Sequence, residues 1–250
     1  MHLLVYGPGR LGATVIAAAT AAGWPRPDAM TRTVDGLRRP APVADVVVDA
    51  SRGDAVLDNL DHALRAGNRS FVLAATGWDA DVAAVRSRLL DDGAAAVVAP
   101  NLSLGAALFL RLTAAAAGWY AAAGGFEPSV VEWHRRGKVD RPSGTARAIA
   151  RRITTADPRW SSGDDDPDGR PALEVVGIRA GAAPGTHLVT FDGAGESIEL
   201  RLSARDRTAY ADGALAAARW LRAAPRAAGL HPFDAVVDDL LATPRVAVTA

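Results

Sequence analysis

The run His2-Leu3-Leu4-Val5-Tyr6 stops at Gly7-Pro8-Gly9-Arg10-Leu11-Gly12, and Ala13-Thr14-Val15-Ile16-Ala17 then reads as helix. A buried strand, a Gly-x-Gly-x-x-Gly turn and a helix, in that order, commit the chain's start to a βαβ unit with parallel strands. The glycines let backbone approach a pyrophosphate, which would rest on the helix N-terminus. Gly7, Gly9, Arg10, Leu11 and Gly12 are therefore candidate dinucleotide contacts. A tight strand-to-helix turn that holds no ligand is the competing reading, and the strand before and helix after the turn favour the dinucleotide.

The next segments keep the pattern. Asp45–Ser51, Ser70–Ala75 and Ala94–Ala99 are short apolar runs separated by helical stretches, the first beginning at Asp54. His62, on the first of those helices, is expected at the surface. Strands alternating with helices predict a doubly wound parallel sheet, a Rossmann-type α/β fold. Ligands bind such sheets beyond the carboxyl ends of the strands. Ala75-Thr76-Gly77 and Pro100-Asn101 lie at such ends. At the end of the second strand an acid would favour NAD and an Arg the 2′-phosphate of NADP. Thr31-Arg32-Thr33 stands there, with no acid before Asp35. Arg32 thus favours NADPH, with NADH the alternative; an exposed loop Arg is the competing reading.

Composition narrows the field. Hydrophobic residues make up 49% of 250 residues, enough for a buried core, and the formal net charge is +0. Zero net charge argues against nucleic acid or a membrane surface as partner. With Cys 0, disulfides, zinc–thiolate sites and thiol nucleophiles are excluded. Each apolar run is interrupted by Arg, Asp or Gly before reaching membrane-spanning length, and no signal-peptide pattern opens the chain. A cytoplasmic location is expected. Asp164-Asp165-Asp166 lacks regular ligand spacing or a His, so it is read as a solvated loop and no metal site is expected.

Beyond residue 104 the pattern changes. Ala106–Ala123 is a long Ala- and Leu-rich helix closed by Gly124-Gly125, and Ser129–Trp133 reads as a strand. A polar loop follows with His134, Arg135, Arg136 and Lys138, then Pro142-Ser143-Gly144-Thr145 and an Ala-rich helix over Arg147–Ile153. Small residues at a helix start leave N–H groups for an anion, and the cations reinforce them. His134 is the proton donor suited to neutral pH. The loop fits a small molecule rich in carboxylates, although a solvated turn and ordinary helix capping use the same residues. Glu174–Arg179, Thr186–Phe191 and Ser197–Leu202 alternate like antiparallel strands. Asp212–Leu221 and Phe233–Leu241 are helices that should return to the first domain.

Glu132-x-His134-x-x-x-Lys138-x-Asp140-x-Pro142-Ser143-Gly144-Thr145-Ala146 resembles the signature of the dihydrodipicolinate reductases. Ala75-Thr76-Gly77 is similar to that family's Gly-Thr-Thr-Gly turn along the nicotinamide, and Pro100–Gly105 to its Pro-Asn-Phe-Ser-x-Gly hinge. The stretches Glu174–Arg179, Thr186–Phe191 and Ser197–Leu202 resemble its Arg-x-Gly, Gly-x-His-x-Val-x-Phe and Glu-x-Ile-Glu-Leu segments. The resemblance implies a dinucleotide-binding domain over 1–103 and 208–250. It implies a smaller α+β domain with an open mixed sheet over 104–207, for substrate binding and oligomerisation, and a homotetramer. It implies an NAD(P)H-dependent reductase of a cyclic dicarboxylate in lysine and diaminopimelate biosynthesis, acting on 4-hydroxy-tetrahydrodipicolinate. His134 and Lys138 would be catalytic. Arg135, Lys138, Ser143, Gly144 and Thr145 would bind substrate.

Three departures stand out: Arg135 where the family usually has a second His, Leu202 where it has a His in the sheet, and a shortened Gly-rich turn. The first two leave open a paralogous reductase of a related cyclic imine. A non-catalytic dinucleotide sensor is the rival outside the enzymes, and the presence of both His134 and Lys138 argues against it.

Overall fold

The computed structural model describes residues 1–31, 39–99, 101–163 and 166–242. In chain order the elements are β1 (Leu3–Tyr6), α1 (Arg10–Ala21), β2 (Asp28–Met30), β3 (Val46–Asp49), α2 (Val56–Arg65), β4 (Ser70–Leu73), α3 (Val82–Asp91) and β5 (Ala95–Val98). Then come α4 (Leu104–Ala123), β6 (Phe126–His134), α5 (Gly144–Ala156), β7 (Glu174–Arg179), β8 (Thr186–Gly193) and β9 (Ser197–Ser203). The last three are α6 (Thr208–Ala223), β10 (Gly229–Pro232) and α7 (Phe233–Ala242). They form two compact units, Met1–Leu104 with Arg207–Ala250, and Gly105–Asp206.

The first unit is built on one sheet in the order β10-β5-β4-β3-β1-β2, with every pairing parallel. Helices cover both faces, so β1 and β3 are buried along their whole length, which is why they read as unbroken apolar runs. On one face Leu4, Tyr6, Val47, Phe71 and Leu73 pack with Val56 and Leu60 of α2 and Val85 and Leu89 of α3. On the other, α6 lies against α1 and the strands β3 and β4. The sequence reading overlooked β10. Gly229-Leu230-His231-Pro232 has neither alternation nor a β-branched run, and its pairing with β5 is set by tertiary packing. His62, expected at the surface, is half-buried and hydrogen-bonded to the Tyr6 hydroxyl at 2.7 Å and the Arg39 carbonyl at 2.9 Å.

The second unit carries a four-stranded sheet, β7-β6-β8-β9. One face buries Val130, Val189 and Phe191 against Phe109, Ala116 and Ala117 of α4 and Ile149 and Ile153 of α5. Burying each of the two isoleucines stabilises by about 1.5–3 kcal/mol. The sheet is mixed, as the resemblance implied: β6–β8 and β8–β9 are antiparallel, while β7, whose alternation suggested an antiparallel strand, pairs with β6 in parallel. Alternation reports one covered face and does not distinguish the two pairings. The opposite face leaves Trp133, Val176 and Ile178 exposed. The expectation that no run is long and apolar enough for a membrane also fails, because α4 meets both criteria. Phe109, Ala116 and Ala117 of α4 are part of this unit's core, which accounts for much of that apolar character.

Candidate active site

In the first unit the Gly-rich turn joins β1 to α1. Gly9 precedes α1 in extended conformation, and no side chain caps the helix, so its first N–H groups are open to an anion. Gly7 has φ 74°, and a Cβ on it would fall 2.5 Å from Ser51 Cα; one on Gly12 would fall 2.3 Å from the Gly7 carbonyl oxygen. Neither position admits a side chain. The end of β3 is pinned beside this turn. Ser51 donates its N–H and hydroxyl to Asp49 Oδ1, at 2.9 and 2.5 Å, and Asn59 Nδ2 donates to Asp49 Oδ2 at 3.0 Å. Burial pushes the Asp49 carboxyl above its usual range, against the pull of those hydrogen bonds. The sequence reading missed this brace; its one visible trace is an acid ending an otherwise apolar strand.

Beyond the carboxyl ends of β4, β5 and β10 lies a cavity of about 540 Å³, lined in part by Ala75, Thr76, Gly77, Trp78, Arg86 and Leu230. Thr76 and Gly77 are exposed, and the Trp78 indole N–H is tied to the Ala75 carbonyl at 2.9 Å. Asn101 accepts the Ser103 N–H at 2.9 Å, closing the turn that leads into α4. Arg32 and Pro100 lie outside the described residues. Trp78, Arg86 and Leu230 were not foreseen, since only the fold brings α3 and β10 beside the Thr76-Gly77 turn.

In the second unit the loop after β6 carries the chemistry. Glu132 and His134 are two apart on a strand and so share a face; Glu132 is 0% exposed and His134 7%. Arg179 of β7 reaches Glu132 Oε1 at 2.6 Å, and the Ser143 N–H donates to that oxygen at 2.9 Å. Burial raises the Glu132 carboxyl, but the bonds from Ser143 and Arg179 outweigh it and hold it below its usual value. His187 of β8 stands edge-on to His134, with ring centroids 5.2 Å apart. Burial pushes His187 down to about 4, and His134 adds to the shift. His134 is also lowered, by burial first, with Glu132 opposing and Lys138 and Arg179 reinforcing.

Lys138 sits in the turn after His134, with its ammonium 2.7 Å from Asp140, whose carboxyl it holds below the usual range. Ser143 caps α5 by accepting the Ala146 N–H at 3.1 Å, and its hydroxyl lies 3.3 Å from His187 Nε2. Ser143 is therefore committed within the protein, whereas Gly144 is exposed, Thr145 half-buried and Arg135 exposed. The donor atoms of Glu132, His134 and His187 lie within 4.8 Å of one another. Because Arg179 already neutralises the carboxylate, we read the group as a buried polar cluster ion-paired to Arg179. Arg179 and His187 were not singled out as site residues in the sequence, and their segments' resemblance to the family was the only signal for them.

Residues 1–102 match the family model for dihydrodipicolinate reductase, N-terminus, and residues 105–236 match that for its C-terminus. The chain belongs to the dihydrodipicolinate reductase family. Among curated relatives it is 31% identical over 243 residues to the 4-hydroxy-tetrahydrodipicolinate reductase of Thiobacillus denitrificans, covering 91% of this chain and 86% of that one. It is 37% identical over 218 residues to that of Myxococcus xanthus, covering 82% and 76%. A dipicolinate-bound dihydrodipicolinate reductase from Paenisporosarcina sp. TG-14 shares the fold, with TM-score 0.67 at 17% identity, covering 93% of this chain and 97% of the other. The chain is an oxidoreductase, with a Rossmann-type unit of the dinucleotide-binding kind joined in sequence to the smaller mixed-sheet unit.

Proposed function

We propose that this dihydrodipicolinate reductase reduces 4-hydroxy-tetrahydrodipicolinate with NADPH, as a cytoplasmic enzyme of lysine and diaminopimelate synthesis. The observation that carries the reading is the β6–α5 loop. It sets a buried imidazole, an ammonium and the N-terminus of α5 within one short segment. Lys138 would hold a substrate carboxylate, and the exposed Gly144 and half-buried Thr145 would offer a second anion contact through backbone N–H groups and the Thr145 hydroxyl. The exposed Arg135 suits the same anionic ligand.

The Gly-rich turn fits a dinucleotide: a Cβ at Gly7 or Gly12 would meet protein backbone, and α1 begins without a side-chain cap. Gly7, Gly9, Arg10, Leu11 and Gly12 would hold the pyrophosphate. Ala75, Thr76, Gly77, Pro100 and Asn101 would line the nicotinamide, and Arg32 would meet the 2′-phosphate. The bound cofactor supplies hydride. The protein's part is the proton. His134 would deliver one to the reduced ring as negative charge develops there, and the Lys138 ammonium would stabilise that charge.

On this reading residues 1–103 and 208–250 serve the cofactor, and 104–207 serve the substrate and assembly. The exposed Trp133, Val176 and Ile178 give the second sheet an apolar face suited to further copies of the chain, in a homotetramer. One observation favours a paralogous activity on a related cyclic imine. Leu202, which stands where the family has a His, is in register opposite His187. The discriminating experiment is NADPH oxidation with freshly prepared 4-hydroxy-tetrahydrodipicolinate, run beside NADH. Turnover supports the reading; none with either cofactor removes the lysine-pathway substrate and leaves the paralogue.

A further inference from the structure

His134 Nδ1 and Glu132 Oε2 face each other at 3.3 Å. Both atoms are buried, and among the described residues neither makes a hydrogen bond. Two buried polar atoms without partners are a costly arrangement, and such groups are ordinarily satisfied. A small rotation of either side chain would shorten the gap to a charge-assisted hydrogen bond. The carboxylate cannot readily turn away, because Arg179 and the Ser143 N–H hold its other oxygen at 2.6 and 2.9 Å. The far side of the ring has room for a different reason. Gly185 lies there, and a Cβ on it would come within 3.1 Å of His134 Nε2.

We infer that Glu132 is a positioning residue for His134: its Oε2 accepts the Nδ1 proton, so Nε2 is the nitrogen that carries the transferable one. This rests on reading His134 as the proton donor of the reduction. The donor is the imidazolium, which carries a proton on each nitrogen; without such a partner either proton could leave, and the ring left behind would take either tautomer. The groups facing His134 are Glu132 on its own strand, Arg179 on β7, His187 on β8, and Lys138 with Asp140 in the following loop. Of these, Glu132 and Asp140 favour the imidazolium, and Lys138 and Arg179 disfavour it. Glu132 is the carboxylate in direct reach, so its loss should both free the ring and lower its proton affinity.

The first test needs no substitution. In the wild-type enzyme labelled with ¹⁵N-histidine, long-range ¹H–¹⁵N spectra report which ring nitrogen is protonated. Above its titration His134 should carry its proton on Nδ1; a proton on Nε2 there overturns the inference. The second test is Glu132→Gln. We expect kcat to fall about 10–100-fold, the range found when a metal-bound imidazole loses its orienting partner, with KM little changed. The descending alkaline limb of the rate profile, which follows the imidazolium, should move to lower pH. An unchanged kcat and limb overturn the inference.

Because Glu132→Gln leaves Arg179 buried without its counter-charge, Glu132→Gln/Arg179→Gln is the companion variant, and the same loss and limb shift are required of it. His134→Gln separates the two levels. If that variant is slow while Glu132→Gln is normal, the positioning role alone is lost. If His134→Gln turns over at the wild-type rate, the donor reading itself is lost. Adding Glu132→Gln to His134→Gln should cost nothing more, since Glu132 acts through the ring; a further multiplicative loss overturns the inference.

Discussion

Ser143 donates its backbone N–H to the Glu132 carboxylate at 2.9 Å, and its hydroxyl simultaneously caps α5 through the Ala146 N–H at 3.1 Å. One residue thereby ties the end of the β6–α5 loop back to the strand where the loop began. The hydroxyl also lies 3.3 Å from His187 on β8, so strand, helix and neighbouring strand meet at a side chain that is 2% exposed. The span between them, from Arg135 to Pro142, is held at both ends, which suits a segment whose His134 and Lys138 must keep a fixed relation to one ligand.

Ser143→Ala should therefore destabilise the protein more than an ordinary cap deletion. Loss of a Ser N-cap costs about 0.5–2 kcal/mol, and a buried His187 nitrogen left without its partner adds about 1 kcal/mol or more. The backbone N–H to Glu132 survives the substitution. Equilibrium denaturation in urea measures the effect. A midpoint equal to that of the parent would mean that the hydroxyl contributes nothing at either contact.

Three variants divide the labour of the loop. His134→Gln should lower kcat by about 10²–10⁴-fold with substrate affinity nearly intact, because proton donation acts only in the transition state. Lys138→Met should raise KM and lower kcat together, its ammonium touching both bound carboxylate and developing charge. Arg135→His should keep activity and shift preference toward the lysine-pathway substrate. Steady-state kinetics on each, with folding checked by thermal melting, decides. Retention of wild-type KM in Lys138→Met would remove it from substrate binding.

Much of this was legible beforehand, for identifiable reasons. The unbroken apolar runs at Leu3–Tyr6 and Val46–Asp49 announce strands covered on both faces, and they are. The turn from Gly7 to Gly12 was readable because its chemistry is local. What could not be read depends on distance through the fold. The roles of Arg179 and His187 arise from the pairings of β7 and β8 with β6, and no spacing along the chain brings them to Glu132. Glu132 itself could be quoted as part of a motif, but its complete burial exists only in the folded sheet. The parallel direction of β7 and the strand at Gly229–Pro232 escaped for the same reason.

Cofactor preference gives the next prediction, which follows from the sequence Thr31-Arg32-Thr33. NADPH should bind more tightly than NADH, and Arg32→Ala should narrow the gap by about 1.5–3 kcal/mol, the size of a lost charge-assisted contact. Fluorescence titration of both cofactors against both proteins measures it. Equal affinities in the parent would sink the assignment of Arg32.

The last prediction concerns acid stability and turns on His187. Its side chain is buried neutral, with its folded value pushed from 6.5 down to about 4. Between those two values the unfolded chain binds a proton that the folded protein refuses. Stability from this residue is thus complete above pH 6.5 and is lost as pH falls toward about 4. Each unit of separation is worth about 1.4 kcal/mol, so the loss across that window should be on the order of 3 kcal/mol. His134, shifted in the same direction, adds to the slope. Glu132, Asp140 and Asp157, whose folded values are depressed, lose their contributions at lower pH, below the ordinary carboxylate range. His187→Gln removes the titrating ring while keeping a side-chain amide near the Ser143 hydroxyl. Urea denaturation of both proteins from about pH 7 down to about pH 4 should show the parent losing more stability across the window than the variant, both sharing the His134 loss and the opposing gain from Asp49, whose raised carboxyl takes up its proton more readily when folded. If the two curves fall in parallel, His187 is not the group whose protonation the fold resists.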